Sequence, residues 1–170
     1  MIEAVIKDTR YARRWLLLSV AVILVDQFTK WLAEASLVPY QPVPVVPMFN
    51  LTLAYNTGAA FSFLSDAGGW QRWFFISLTL VVIVVLFSWL WRMRAEEKLH
   101  AMSISMILGG AIGNLIDRVW LGHVIDFLDV YYDVHHWPIF NIADSAITIG
   151  VILLIVDLFI HDEKRASEDG

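Results

Sequence analysis

Phe140-Asn141-Ile142-Ala143-Asp144-Ser145-Ala146-Ile147-Thr148-Ile149-Gly150-Val151-Ile152-Leu153-Leu154 opens on polar residues and runs into an apolar stretch that continues to Ile160. An ionised side chain near the centre of a bilayer costs about 2.5–3.5 kcal/mol on insertion scales, so Asp144 in such a run is an expensive choice. A second aspartate stands in a similar setting, in Gly122-His123-Val124-Ile125-Asp126-Phe127. These two segments decide the reading of the chain: a membrane protein with carboxylates placed where lipid or apolar side chains should surround them.

Composition agrees. The 170 residues are 58% hydrophobic and 17% charged, and the mean hydropathy is +0.63, which suits neither a soluble domain nor a disordered chain. The net charge of −5 is spread rather than massed, and no nucleic-acid partner is implied. There is no cysteine, which excludes disulfides, thiolate nucleophiles and zinc–thiolate sites together.

Crossing about 30 Å of hydrocarbon at about 1.5 Å per residue takes roughly 20 residues. Four stretches suffice, at about 15–37, 72–93, 99–119 and 139–160, in a single integral-membrane domain over 1–170. The first lacks a small-residue cleavage site and contains Asp26 and Lys30, so it reads as a retained span rather than a secretory leader. Lys7, Arg10, Arg13, Arg14, Arg92, Arg94, Lys98, Lys164 and Arg165 flank ends that share one side, against Lys30, Arg72 and Arg118 toward the other. That bias predicts cytoplasmic termini, with 38–71 and 120–138 outside. Trp31, Trp70, Trp73, Trp120 and Trp137 fall near the outer interface, and Trp15, Trp89 and Trp91 near the inner one.

The outer segments have strand character. From Pro42 to Leu64, prolines give way to partly alternating Phe49, Leu51, Leu53 and Tyr55 and then to Asn56-Thr57-Gly58, which reads as short strands around a turn. Gly122 to Tyr132 also reads as extended. The expected architecture is an all-α bundle of four transmembrane helices carrying a small outer β-platform.

On this topology the intramembrane polar residues converge on one leaflet. Asp26 and Lys30 form an i,i+4 pair in span one, Asn114, Asp117 and Arg118 share a face of span three, and Asn141, Asp144, Ser145 and Thr148 form a stripe on span four. Such faces turn toward one another or toward a watery cleft. Two carboxylates beside an apolar cleft are the minimal equipment for hydrolysing an amide with water: like charges resist double ionisation, so one partner takes a proton from water while the other donates to the carbonyl oxygen. Spacing alone leaves a structural ion pair or helix cap open for each aspartate, and Asp144 could simply hold early amides of span four. Asp129 and Asp133 read as solvated loop, Asp129 also being a rival to Asp126, and Asp157 reads as interfacial without a function.

Other chemistries are poorly supplied. There is no His-Glu-x-x-His, and His123, His135 and His136 lack the spacing of a metal motif and read as polar surface. Ser77 and Ser105 have no titratable neighbour on their helix faces, Ser88 has only Arg92, and the Ser103/His100 pair lies at the inner end, far from the polar cluster. Gly109, Gly110 and Gly113 read as close helix packing. No cofactor and no metal are expected.

Five motifs, in order, carry a resemblance: Val25-Asp26-Gln27 with Thr29-Lys30, Tyr55-Asn56-Thr57-Gly58-Ala59-Ala60-Phe61, Gly110 to Arg118, Val124-Ile125-Asp126-Phe127, and Phe140-Asn141-Ile142-Ala143-Asp144-Ser145. Together they resemble the bacterial lipoprotein signal peptidases (signal peptidase II), over nearly the whole chain. The resemblance implies an inner-membrane aspartyl endopeptidase that removes the signal peptide from diacylglyceryl-modified prolipoproteins, just before the lipidated cysteine. It implies Asp126 and Asp144 as the catalytic pair, with Asn56, Gly58, Asn114, Arg118 and Asn141 lining or supporting the site. Asp26, Lys30, Asp117 and Ser145 are expected to position helices or the pair. Lipid-modified precursors and membrane lipid are the partners implied, and the sequence leaves the oligomeric state open. The alternative from another class is a small ion- or proton-coupled carrier using paired intramembrane aspartates.

Overall fold

The computed structural model describes residues 9–58, 70–93 and 97–168. The tail of the second motif, 59–61, and any strand over 59–64 lie outside the described residues.

Four long helices run in the order α1 (Thr9–Ser36), α2 (Trp70–Arg92), α3 (Lys98–Trp120) and α4 (Ile142–Glu168). Each contains a stretch apolar and long enough to cross a membrane: Arg14–Ser36, Trp70–Arg92, Lys98–Trp120 and Ile142–Ile160. The last begins later than expected. Phe127 and Leu128 donate to the Phe140 carbonyl, and Phe140 donates back to Leu128, so the residues beside Pro138 stay extended. The helix then starts after Asn141.

Helix α3 is the central post, packed against α1, α2 and α4. Over half of its apolar window is buried (56%), against 11–22% in the other three. Small residues make this closeness feasible, since a Cβ added at Gly109 would stand 2.8 Å from the Ser19 carbonyl oxygen of α1, and one at Gly110 would run into the Ala143 carbonyl of α4. Packing of this kind replaces the hydrophobic drive that lipid cannot supply. Toward the end of the bundle away from the sheet, Leu86, Leu90, Ala101, Ile104 and Leu108 form an apolar cluster.

At the other end stands an antiparallel sheet ordered β1 (Val43–Val46), β2 (Phe49–Asn56), β3 (Val124–Tyr132) and β4 (His135–His136). The β1–β2 turn falls at Pro47–Met48, where proline presets the first turn position and Met48 takes a positive φ of 70°. Asn56 ends β2, its Oδ1 accepting the Gly58 N–H. Leu53, Ile125 and Phe127 pack with Ala33 of α1 in a second buried cluster, which seats the sheet on the bundle. The step from α3 into β3 is tight: Gly122 adopts φ +86°, and Arg72 of α2 donates to the Arg118 and Val119 carbonyls (2.9 and 2.8 Å), satisfying acceptors that a helix end leaves open.

Three expectations change. Asp129 is buried on β3 rather than solvated, because Asn50 and Thr52 of β2 donate to it (3.2 and 2.9 Å) and His136 Nδ1 lies 2.7 Å away. Asp157 is buried rather than interfacial, paired at 2.7 Å with His100 Nδ1 of α3. The ring of His123 packs edgewise on Tyr55 and its Nε2 is buried, so this imidazole is half-buried rather than free polar surface. Asp133, by contrast, is exposed in the β3–β4 turn as expected.

Candidate active site

Strand β3 brings Asp126 in from the sheet, and the first turn of α4 brings Asp144 from below. Asn141 joins them. It caps α4: its Oδ1 accepts the Asp144 N–H (2.9 Å), and Asp144 Oδ2 accepts the Asn141 N–H (3.2 Å). This reciprocal pair is a capping box, so the cap reading of Asp144 holds for one of its oxygens. The other, Oδ1, accepts Asn114 Nδ2 of α3 (2.8 Å). Asn141 Nδ2 reaches the opposite way, to Asp126 Oδ1 (2.7 Å), and Asn56 Nδ2 of β2 donates to Asp126 Oδ2 (3.2 Å). Carboxamides thus hold both aspartates. Among the described residues no cation stands within ion-pair distance of either one.

Behind them, further into the bundle, lies a second acidic pair with a cation. Lys30 Nζ is 2.8 Å from both Asp26 Oδ2 and Asp117 Oδ2, and donates to Asn114 Oδ1 (2.9 Å). The two carboxylates bond further: Asp26 Oδ1 accepts the Ala143 N–H (2.9 Å), Asp117 Oδ2, besides Lys30, the Ile125 N–H (3.2 Å), and Asp117 Oδ1 the Gln27 amide (2.8 Å). Each acid therefore pins a residue directly preceding one member of the first pair: Ala143 before Asp144, and Ile125 before Asp126.

The two aspartates of the first pair open onto a cleft of about 900 Å³. Tyr40, Tyr55, Trp137 and Phe140 supply much of its apolar wall, with Ile147 and Ile149 continuing it down α4, while Asn56, Asn114, Arg118, Ser145 and Thr148 add polar groups. Gly58 takes part through its carbonyl, which accepts from Arg118 Nη2 (3.3 Å). Ser145 lines the cleft, but its hydroxyl donates to the Asn141 carbonyl (2.9 Å) and does not engage either aspartate.

The environment separates the acids of β3. Burial, reinforced by neighbouring Asp144, pushes the Asp126 carboxyl up to about 7, against the opposing bonds from Asn56 and Asn141. Asp129 is also buried, which by itself would raise it, yet His136, Asn50 and Thr52 together hold it below the usual carboxylate range. Of these two acids Asp126 is thus the one suited to carry a proton near neutrality. A neutral acid beside a second carboxylate, over an apolar cleft, is equipped for acid–base hydrolysis.

Sequence reasoning had gathered most of this group. It gave no role to Gln27, whose amide bridges Asp117 and the Gly113 carbonyl (3.2 Å); a polar residue beside Asp26 in an apolar span was the available signal. Nor did it identify the aromatic wall, whose members come from three separate places in the chain.

Residues 18–160 match the model of the family described as Signal peptidase (SPase) II. The chain is 56% identical over 151 residues to a lipoprotein signal peptidase of Acinetobacter baumannii, covering 89% of this chain and 86% of that one. It is 54% identical over 156 residues to a lipoprotein signal peptidase of Ectopseudomonas mendocina, covering 91% and 92%. A bacterial membrane enzyme solved by the in meso method at 2.3 Å resolution superposes with a TM-score of 0.79 at 35% identity, over 89% of this chain and 90% of that one. These matches decide against the carrier reading. Matched through all four spans and the sheet between them, the chain belongs to the signal peptidase II family, whose members are aspartic peptidases of bacterial membranes.

Proposed function

We propose that this enzyme removes the signal peptide from diacylglyceryl-modified prolipoproteins, cutting before the lipidated cysteine, with Asp126 and Asp144 as the catalytic pair. The observation that carries the assignment is their setting: two aspartates with no ion-pair contact among the described residues, held by carboxamides at the mouth of an apolar cleft. In this reading Asp144, at the positive end of α4, is the carboxylate that takes a proton from water. Asp126, protonated in the resting enzyme, donates to the scissile carbonyl oxygen. The tetrahedral diol then collapses as Asp144 returns its proton to the leaving nitrogen and Asp126 recovers one from the diol, which leaves the pair as it began. Asn56, Asn114 and Asn141 aim the two carboxyl groups, and Arg118, tied to Gly58, borders the peptide path. Lys30 with Asp26 and Asp117 fixes the backbone on which the pair stands. No metal or cofactor enters this scheme.

Both termini are proposed to be cytoplasmic, with the site toward the periplasmic side of the inner membrane, on the basic bias at the opposite end. A lipidated substrate would then arrive by diffusing within the leaflet. Each buried CH₂ contributes about 0.8 kcal/mol, so acyl chains favour its partition toward the cleft. Partition alone is uniform binding and acts on KM at least as strongly as on kcat.

The test is incubation of the purified enzyme with a lipidated and an unlipidated precursor peptide, with and without a chelator. Cleavage of the lipidated peptide alone, or with a much lower KM, and unaffected by chelation, is expected. Equal processing of the two would contradict the substrate assignment, and chelator inactivation rescued by a divalent ion would contradict the mechanism.

A further inference from the structure

The two ends of the sheet differ in a way that peptide hydrolysis does not require. Between Glu34 and Asp66 the chain has no charged residue, an unusual absence for a segment that leaves the bundle. Among the described residues strand β1 pairs only with β2, and no described strand takes its outer edge. Val38, Tyr40, Val43, Val45, Val46 and Met48 are all about half exposed or more. The opposite edge carries Asp133, His135 and His136 beside exposed Tyr132 and Val134.

Backbone conformation sharpens the contrast. The β3–β4 turn places Asp133 at φ 54°, a region that aspartate enters readily, whereas the β1–β2 turn places Met48 at φ 70° and the approach to β1 places Tyr40 at φ 60°. Glycine or asparagine would relieve both positions. Here bulky side chains stand there instead, Met48 held outward and Tyr40 beside the cleft wall.

Contiguous exposed apolar surface marks a partner or a membrane. An open edge suits an added strand only when its main chain can donate hydrogen bonds, and Pro42, Pro44 and Pro47 remove donors from this one. The same prolines suit a lipid boundary, where unsatisfied N–H groups are penalised. The patch also continues the apolar surface of α1, whose last turns expose Phe28, Trp31 and Leu32. We infer that the β1 edge and its Pro47–Met48 turn are a lipid-contact surface, inserted at the headgroup–acyl boundary of the leaflet at this end of the bundle. The opposite edge stays in water. Anchored on one side only, the sheet would hold the cleft mouth at the depth of the bilayer boundary.

Because the chain lacks cysteine, single nitroxide labels report unambiguously. Val45→Cys and Met48→Cys would be compared in liposomes with Tyr132→Cys and Val134→Cys, which are at least as exposed. Labels at 45 and 48 are expected to show high collision with oxygen and several-fold lower collision with a water-soluble nickel chelate than those at 132 and 134. Equal nickel access at all four sites would overturn the proposal. Low access to both reagents at 45 and 48 would also overturn it, assigning the edge to a protein contact. The readout involves no cleavage, so it stands or fails independently of the catalytic assignment.

Discussion

Two pairs of aspartates share one asparagine and have opposite chemistry. Asp26 and Asp117 divide Lys30 between them, while Asp126 and Asp144 are held by carboxamides, and Asn114 touches both groups, accepting from Lys30 and donating to Asp144. Lys30 draws both carboxylates to a single nitrogen and leaves their other bonds to backbone and amide donors, which makes them anchors for the fold. An amide orients a carboxyl without neutralising it, so the second pair stays under like-charge pressure and keeps a proton. The difference teaches that burial alone does not make an acid reactive; what matters is which partner satisfies it. Asp129, three residues from Asp126 on the same strand, repeats the lesson with neutral donors and an imidazole.

Breaking the amide-held pair should have the largest effect. Asp126→Asn or Asp144→Asn should reduce cleavage by about 10²–10⁴-fold or to background, with thermal unfolding in detergent nearly unchanged, since the amide keeps the shape but cannot exchange protons. Near-normal turnover by either variant would remove it from the pair. Breaking the cation-held pair should act on the fold first: Lys30→Met leaves two buried carboxylates without their cation and should lower stability by about 3–5 kcal/mol, read from the melting curve. A melt unchanged from the parent protein would show that Lys30 does not neutralise them.

A smaller loss is expected where the two pairs are pressed together. Gly110→Ala sets a methyl against the Ala143 carbonyl, next to Asp144, and should destabilise by about 1–3 kcal/mol, with a fall in kcat as α4 shifts. Full activity with an unchanged melt would mean that the helices yield without moving Asp144. With pH, the sign follows from a raised carboxyl: the acid form of Asp126 is present below about 7 and is lost as pH rises through that value. kcat/KM should therefore fall toward tenfold per unit on the alkaline side, the apparent midpoint belonging to the pair. A flat profile through pH 9 would contradict a proton held there. The smallest effect on turnover should come from Asp129→Asn, which loosens the sheet but removes no catalytic group; kcat within a few-fold of the parent protein is expected.

The four spans were legible because an apolar run of bilayer length has few other readings, and the convergence of Asp26, Asn114 and Asp144 followed from helix periodicity once the spans were set. Motif resemblance then singled out Asp126 and Asp144 from the other aspartates. Burial of Asp129 and Asp157 was not legible, because each depends on partners distant in sequence: Asn50 and Thr52 across a strand pairing, and His100 across a helix packing. The start of α4 was misplaced by three residues, since hydropathy cannot see the extended pairing of Phe140 with Leu128. Nor does composition reveal that Asn141 serves both aspartates, which requires the strand and the helix cap to meet.

The central claim is that the Asp126/Asp144 pair keeps one proton near neutrality and that it resides on Asp126. Infrared difference spectroscopy of the purified enzyme across a pH titration reads this directly, through the carboxylic-acid C=O stretch. The account predicts a band that is lost with a midpoint near 7 and is missing in Asp126→Asn, but persists in Asp117→Asn. A band that survives in Asp126→Asn, or one that disappears in Asp117→Asn, would contradict it.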